Sequence, residues 1–294
     1  LTSANIAVTS GSKQALFESL FAILKKGDEV IVPSPDWVTY RHQIILNDAR
    51  PIIVPLTKTF DLDIDKIQKS ITKKTKAIIL NSPNNPTGSI YTASALSKLQ
   101  KVLANKAIYL IVDDIYSKII YKKTYRSPAK FAPDKKFLIL ISGFSKSQAL
   151  TGWRIGFVAA AENIIQAIAA FQSHTTGNAP LLSQIAALKI LETGDQTGRF
   201  VKILKKRRDL VNNLLATIPK ISYQIPNGAF YYFIDVSKIA SNTVVFCEKL
   251  LAQGLALVPG EAFGTPGFIR LSFAAPSSKL TAGIKILKTF CSTY

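Results

Sequence analysis

Short apolar runs recur through the first half of the chain, at residues 6–8, 29–32, 51–54, 77–80, 108–112, 137–141 and 155–159, each bounded by polar or turn-forming residues. Continuous runs of this length read as strands buried on both faces, the pattern of a mostly parallel sheet. Between them the spacing changes to a helical period. Ala15, Leu16, Leu20, Ile23 and Leu24 give one apolar face to a helix over 13–24, capped by Gly27, and a second helix is predicted over 94–103. Helices over 163–171, 179–191 and about 198–218 follow in succession. Beyond them 221–224, 230–234, 256–258 and 268–273 read as strands, closed by helices over 243–253 and 278–290. The fold class is therefore α/β: a large α/β/α sandwich domain over 1–200 and a smaller C-terminal α+β domain over 201–294, divided within or beside the long helix. The chain shows neither an internal repeat nor a low-complexity linker.

Candidate chemistry sits where three of the runs end. The run at 77–80 leads into Asn81-Ser82-Pro83-Asn84-Asn85-Pro86-Thr87-Gly88, that at 108–112 into Asp113-Asp114-Ile115-Tyr116, and that at 137–141 into Ser142-Gly143-Phe144-Ser145-Lys146. In an open parallel sheet the carboxyl ends of the strands line the ligand crevice. An amide, a carboxylate, a phenol and an amine are thus expected in one pocket. An ammonium at the mouth of a buried strand is poorly solvated, which lowers its pKa and yields a nucleophilic amine. That suits Lys146 to Schiff-base chemistry with an aldehyde. Arg154, in Thr151-Gly152-Trp153-Arg154-Ile155-Gly156, adds a cation a short way along.

Composition narrows the partners. With 294 residues, 48% hydrophobic and 19% charged, general disorder is excluded. The net charge of +19 raises nucleic acid as a partner, but the lysines are scattered and the dense basic run is Lys205-Lys206-Arg207-Arg208 on a predicted helix. No nucleic-acid partner is expected; a basic surface also favours small anions. Cys247 and Cys291 form no disulfide or zinc spacing and suggest a reducing compartment. With only His42 and His174, no metal site is expected. No apolar stretch approaches a membrane span and no secretory signal opens the chain, so a soluble, cytoplasmic protein without a membrane partner is expected.

Ten segments, in order along almost the whole chain, carry a resemblance. They are Thr9-Ser10-Gly11-Ser12-Lys13-Gln14-Ala15-Leu16-Phe17, Gly27-Asp28-Glu29-Val30, Pro33-Ser34-Pro35-Asp36-Trp37-Val38-Thr39-Tyr40, and those at 84–88, 113–116, 145–146, 151–156, 228–231, 259–264 and 268–272. Together they resemble the class I, fold-type I aminotransferases, which use pyridoxal 5'-phosphate (PLP). Gly-Ser-Lys-Gln-Ala-Leu-Phe and Asp-Asp-Ile-Tyr are most similar to the bacterial aspartate aminotransferase branch.

The resemblance implies a role for each matching position. Lys146 would hold the cofactor and move protons, Asp113 would face the pyridine nitrogen, and Tyr116 and Asn85 would reach the ring's phenolic oxygen. Trp37 would stack on the ring. Gly11 and Ser12 at a helix start, with Arg154, would bind the phosphate. Relatives commonly carry a hydroxyl at the position of Gly143; here Ser145 ranks ahead of Ser142 as its substitute. Arg270 would grip the substrate α-carboxylate through its guanidinium fork, and Lys13 the distal carboxylate of an acidic substrate, with Trp37 and Asn85 alongside. Asp36 stands where the family often has tyrosine and is expected to put an extra carboxylate near the ring. Each residue also has an ordinary reading as a cap, loop amide, core aromatic or surface cation; the ordered set favours the functional one.

The implied reaction is ping-pong transamination from an L-amino acid, expected to be aspartate, to a 2-oxo acid, expected to be 2-oxoglutarate. Glutamate–prephenate, aromatic and alanine-type donors remain open, as do a non-catalytic PLP-binding regulator and an inactive truncated form. Relatives form homodimers with shared active sites, and Gln172-Ser173-His174-Thr175-Thr176-Gly177-Asn178-Ala179-Pro180 resembles the loop they insert into the neighbouring site. They also carry several tens of residues ahead of the Gly11 loop. An N-terminal segment is therefore expected to be missing, and the chain alone is expected to bind PLP weakly and turn over slowly or not at all.

Overall fold

The computed structural model describes residues 1–121, 125–194 and 197–292. All seven of the first runs form strands: β1 (Ile6–Thr9), β2 (Glu29–Ser34), β3 (Arg50–Pro55), β4 (Thr75–Asn81), β5 (Tyr109–Asp113), β6 (Leu138–Gly143) and β7 (Gly156–Ala159). They hydrogen-bond in the order β1-β7-β6-β5-β4-β2-β3. Pairs from β3 through β6 are parallel, while β7 pairs antiparallel with both β6 and β1. Alternation along the central strands β2, β4 and β5 feeds two cores. Val30, Val32, Ala77, Ile79 and Ile111 pack on one face, and Ile31, Ile78, Leu80, Leu110 and Val112 on the other. This double burial is why these strands read as unbroken apolar runs.

Helix α1 (Ser12–Ile23) buries Ala15, Leu16, Leu20 and Ile23 on the first face, and α4 (Ala93–Leu103) buries Leu96, Leu99 and Leu103 on the second. Two short helices carry no apolar period in the sequence. In α2 (Thr39–Leu46) the buried residues are Tyr40, Gln43 and Ile44, a mixed polar set, and in α3 (Ile64–Ser70) Ile67 alone is buried among the described residues, behind an Asp63 cap that accepts from Lys66 N–H. Gly27 is not the cap of α1. Leu24 ends the helix, and Gly27 occupies the following turn at φ +85°, donating to Asp48 O at 2.9 Å.

Helices α5 (Glu162–His174), α6 (Leu181–Glu192) and α7 (Thr197–Leu215) lead to a second, antiparallel sheet. Its strands β8 (Ser222–Tyr223), β9 (Tyr231–Asp235), β10 (Val258–Pro259) and β11 (Phe268–Ser272) lie in the order β10-β11-β9-β8. Leu204, Val211 and Leu215 of α7 join Phe246 and Leu250 of α8 (Thr243–Ala252) and Ile284 and Leu287 of α9 (Ser277–Ser292) in the core behind it. Ile115, Tyr116 and Ile119, just after β5, belong to that same core. The second sheet is thereby seated against the carboxyl end of β5. Among the described residues no helix is long and apolar enough to cross a membrane, and no group of three or more His, Cys, Asp or Glu could hold a metal. A row on α6, Leu181, Leu182, Ile185, Leu188 and Leu191, stays exposed beside Val8 of β1.

Candidate active site

Register aligns the carboxyl ends of the central strands, with Asn81 of β4 opposite Asp113 of β5 and Asp113 opposite Ile141 of β6. Asn81 ties these ends together: its Nδ2 donates to Asp113 O at 3.0 Å and its Oδ1 accepts from Asn85 N–H at 2.8 Å. The Asp113 carboxylate is buried and accepts from Tyr40 Oη at 2.7 Å and Ile115 N–H at 3.2 Å. Burial raises its pKa, opposed by those two hydrogen bonds and by the charge of Lys146. Tyr40 in turn meets Trp37 edge to face, ring centroids 5.5 Å apart.

Lys146 lies in the loop between β6 and β7, which the antiparallel pair Gly143–Gly156 closes. Burial lowers its pKa, the positive charges of Arg270 and Arg154 lower it further, and Asp113 opposes them. The same loop delivers Arg154, whose backbone holds φ +49° and whose Nη1 donates to Thr151 O at 3.0 Å and to Ser145 Oγ at 3.5 Å. Gly11, at φ +84° before α1, admits this guanidinium, since a Cβ there would overlap Arg154 Nη2. Gly156 lets β7 approach α1: a Cβ would stand 2.6 Å from Ser12 N. Backbone N–H groups at a helix start, a guanidinium and a hydroxyl form a cradle suited to a phosphate.

The second sheet supplies the opposite wall. Arg270 of β11 lies 4.5 Å from the Tyr231 ring centroid and 4.8 Å from that of Phe263, and its Nη1 donates to Asn85 Oδ1 at 2.8 Å. Its Nε is buried with no partner. Tyr116 and Tyr231 hydroxyls meet at 2.9 Å, both phenols pushed up in pKa by burial.

One cavity of about 250 Å³ gathers Ser12, Trp37, Asn85, Asp113, Tyr116, Lys146 and Arg270. Gly11, Ser145 and Arg154 cluster beside Ser12. Ser142 lines a separate cavity with Asp114 and Ser147, so it stands apart from this cluster. Lys13 does not line the cavity; its ammonium lies 5.1 Å from the Trp37 ring centroid. Sequence reasoning missed Tyr40, Asn81 and Tyr231 as lining residues, although each falls inside a segment already singled out. Tyr40 follows Trp37 by three residues, its N–H donating to Trp37 O at 2.9 Å, and Asn81 ends a strand in register with Asp113. The expectation for Asp36 is corrected: it is 1% exposed, paired with Arg41 and absent from the cavity wall. A buried carboxylate is costly unless paired, and Arg41 is within reach on α2. The 172–180 stretch lies against its own α1, with Thr176 Oγ accepting from Gln14 Nε2 at 2.7 Å and Gln172 Nε2 donating to Glu18 Oε2 at 2.8 Å.

A doubly covered sheet with a lysine, a carboxylate and an anion cradle at its carboxyl edge is the arrangement expected of a PLP-dependent enzyme of fold type I. The chain belongs to the aminotransferase class I and II family, whose model it matches over residues 1–285. It is 38% identical to the aspartate aminotransferase of Thermotoga maritima, over 97% of this chain and 75% of that protein. It is 36% identical to the aspartate/prephenate aminotransferase of Thermus thermophilus, over 95% of this chain and 73% of that protein. The crystal structure of Thermotoga maritima aspartate aminotransferase superposes with a TM-score of 0.94 at 37% identity, covering 99% of this chain and 77% of that one. The enzyme is a class I aminotransferase and its cofactor is PLP. The residues present fit that cofactor: a lysine amine of lowered pKa, a buried carboxylate and an arginine with an unpartnered buried Nε share one cavity, with an anion cradle beside it at Ser12.

Proposed function

We propose that this chain transfers the amino group of L-aspartate to a 2-oxo acid, 2-oxoglutarate being the expected acceptor. The observation that carries the reading is the sharing of one small cavity by Lys146, Asp113 and Arg270. When bound, PLP supplies an aldehyde for the lysine amine and a ring that accepts electrons from the substrate Cα. Lys146 Nζ, biased towards the neutral amine by burial, would take the proton from the substrate Cα and deliver it, from the same face, to the carbon that was the aldehyde. Asp113, held by Tyr40, would face the ring nitrogen. Tyr116 and Asn85 orient the phenolic oxygen, and Trp37 provides a stacking face.

Gly11, Ser12, Ser145 and Arg154 are assigned to the phosphate, supported by their clustering at the start of α1. Arg270 is assigned to the α-carboxylate; its guanidinium sits between two aromatic rings with Nε free to donate. Lys13 is assigned to the distal carboxylate, supported by its ammonium lying over Trp37. We read residues 1–200 as the cofactor-binding domain and 201–294 as the smaller one, in a cytoplasmic homodimer with shared sites. The exposed apolar row of α6 supports pairing with a second copy.

Borohydride reduction of the PLP-loaded chain followed by peptide mapping tests the assignment. The adduct is expected on Lys146, and Lys146→Ala is expected to lose turnover by several orders of magnitude. Substantial aminotransferase activity in that variant overturns it. Aspartate and glutamate, but not alanine or phenylalanine, should bleach the visible band of the loaded protein.

A further inference from the structure

We propose that the Asp36–Arg41 ion pair is a clasp that positions Arg270 by holding the loop before β11 against the loop after β2; the inference rests on the assignment of Arg270 to the substrate carboxylate. Asp36 and Arg41 are positioning residues, since neither lines the cavity. Arg41 Nε donates to both Asp36 carboxylate oxygens, at 3.1 and 3.0 Å, while its Nη2 pairs with Asp36 Oδ1 and donates to Ser34 Oγ at 3.0 Å. The same guanidinium lies against Gly264, which holds φ +71° and where a Cβ would overlap Nη2. Two further bonds join the loops: Asp36 N–H and Ser34 Oγ both donate to Phe263 O, at 3.4 and 3.3 Å.

Phe263 carries the constraint onward. It is buried, and its ring faces the Arg270 guanidinium, whose other supports are the Tyr231 ring and Asn85 Oδ1. The guanidinium fork of Arg41 therefore touches three points at once: Asp36, Ser34 and Gly264. A lysine in its place keeps the charge but not the fork. Burial pushes the Asp36 pKa up and Arg41 pulls it down, in keeping with a carboxylate buried because its partner is present.

The test uses the PLP-loaded chain and maleate, a dicarboxylate with no amino group, titrated by calorimetry. Two variants are needed: Arg41→Lys, and Asp36→Asn with Arg41→Gln, in which two neutral amides can still pair. Maleate Kd and aspartate KM are expected to rise about tenfold in both, the scale of one misaligned charge-assisted contact, while kcat stays within about twofold. PLP uptake at Lys146 and the melting midpoint should stay close to the parent. Gly264→Ala, which strains the same loop from the other side, should weaken maleate in the parent. Unchanged maleate affinity in either variant overturns the clasp. So does failure of both variants to fold or to take up PLP, which would make the pair a fold-maintenance contact. If the unmodified chain takes up no PLP at Lys146, the functional assignment itself falls and takes the clasp with it.

Discussion

Asp114 stands next to the carboxylate that lines the site but answers to different neighbours. It is buried, accepts from Ser127 Oγ at 2.6 Å and Tyr125 Oη at 3.1 Å, and is pushed up to about 6, chiefly by burial, with the charge of Asp113 adding to the rise. Its folded pKa exceeds the ordinary 3.8, so between pH 3.8 and about 6 the folded chain keeps a proton that the unfolded chain has released. Its contribution to stability is therefore present at low pH and lost as pH rises through about 6. Asp114→Asn removes that dependence. Relative to the variant, the parent should lose about 1–3 kcal/mol across this window in denaturant titrations at a series of pH values. Parallel stability curves would show that the carboxylate stays ionised in the fold. The neighbouring aspartates were legible as a pair in the sequence, but not their division of labour. That division depends on Tyr40, far back in the chain, and on Tyr125 and Ser127, which follow in a loop with no periodic signal.

At the scale of elements, the strands that build the site announced themselves because each is covered on both faces. Helices α2 and α3 did not, since so few of their positions are buried that no apolar stripe forms. Strands β8 and β10 span two residues each, too short for alternation to register. The contact between β7 and α1 is set by the glycine at 156, and here a substitution has a defined cost. Gly156→Ala places a methyl 2.6 Å from Ser12 N and 2.8 Å from Gly11 C, both backbone atoms that can yield only by moving the helix. Thermal or chemical unfolding should register a loss of about 1–3 kcal/mol. Because the displaced helix start is the phosphate cradle, PLP affinity should fall with it. Lost stability with undiminished PLP affinity would separate the cradle from this contact. Asp36 marks the opposite limit of sequence reading: its place in the motif suggested the ring, whereas Arg41 and the distant Gly264 decide where it points.

Over the whole molecule, 37 Lys and Arg against 18 Asp and Glu leave a field that favours anions. Of those cations, Arg270 lines the cavity, Arg154 stands beside it and Lys13 lies over Trp37. For a dicarboxylate substrate, kcat/KM should therefore fall about threefold or more as salt rises from about 10 to 150 mM, and less for a monocarboxylate such as alanine. Equal salt slopes for both would assign the excess charge to solubility alone. Part of the densest basic run is already committed, with Arg207 Nη1 donating to Ala274 O and Arg208 resting over Tyr121. What the sequence could not supply at this scale is the seating of the second sheet, which brings Tyr231 and Arg270 to Asn85 and depends on long-range packing behind β5.

The reversed direction of β7 has a kinetic corollary. It returns the chain to the edge it just left, so the nucleophilic amine and the anion-gripping guanidinium occupy one local excursion stapled at its base by Gly143 and Gly156. Amide protons on both sides of that staple should exchange with solvent in a single cooperative event.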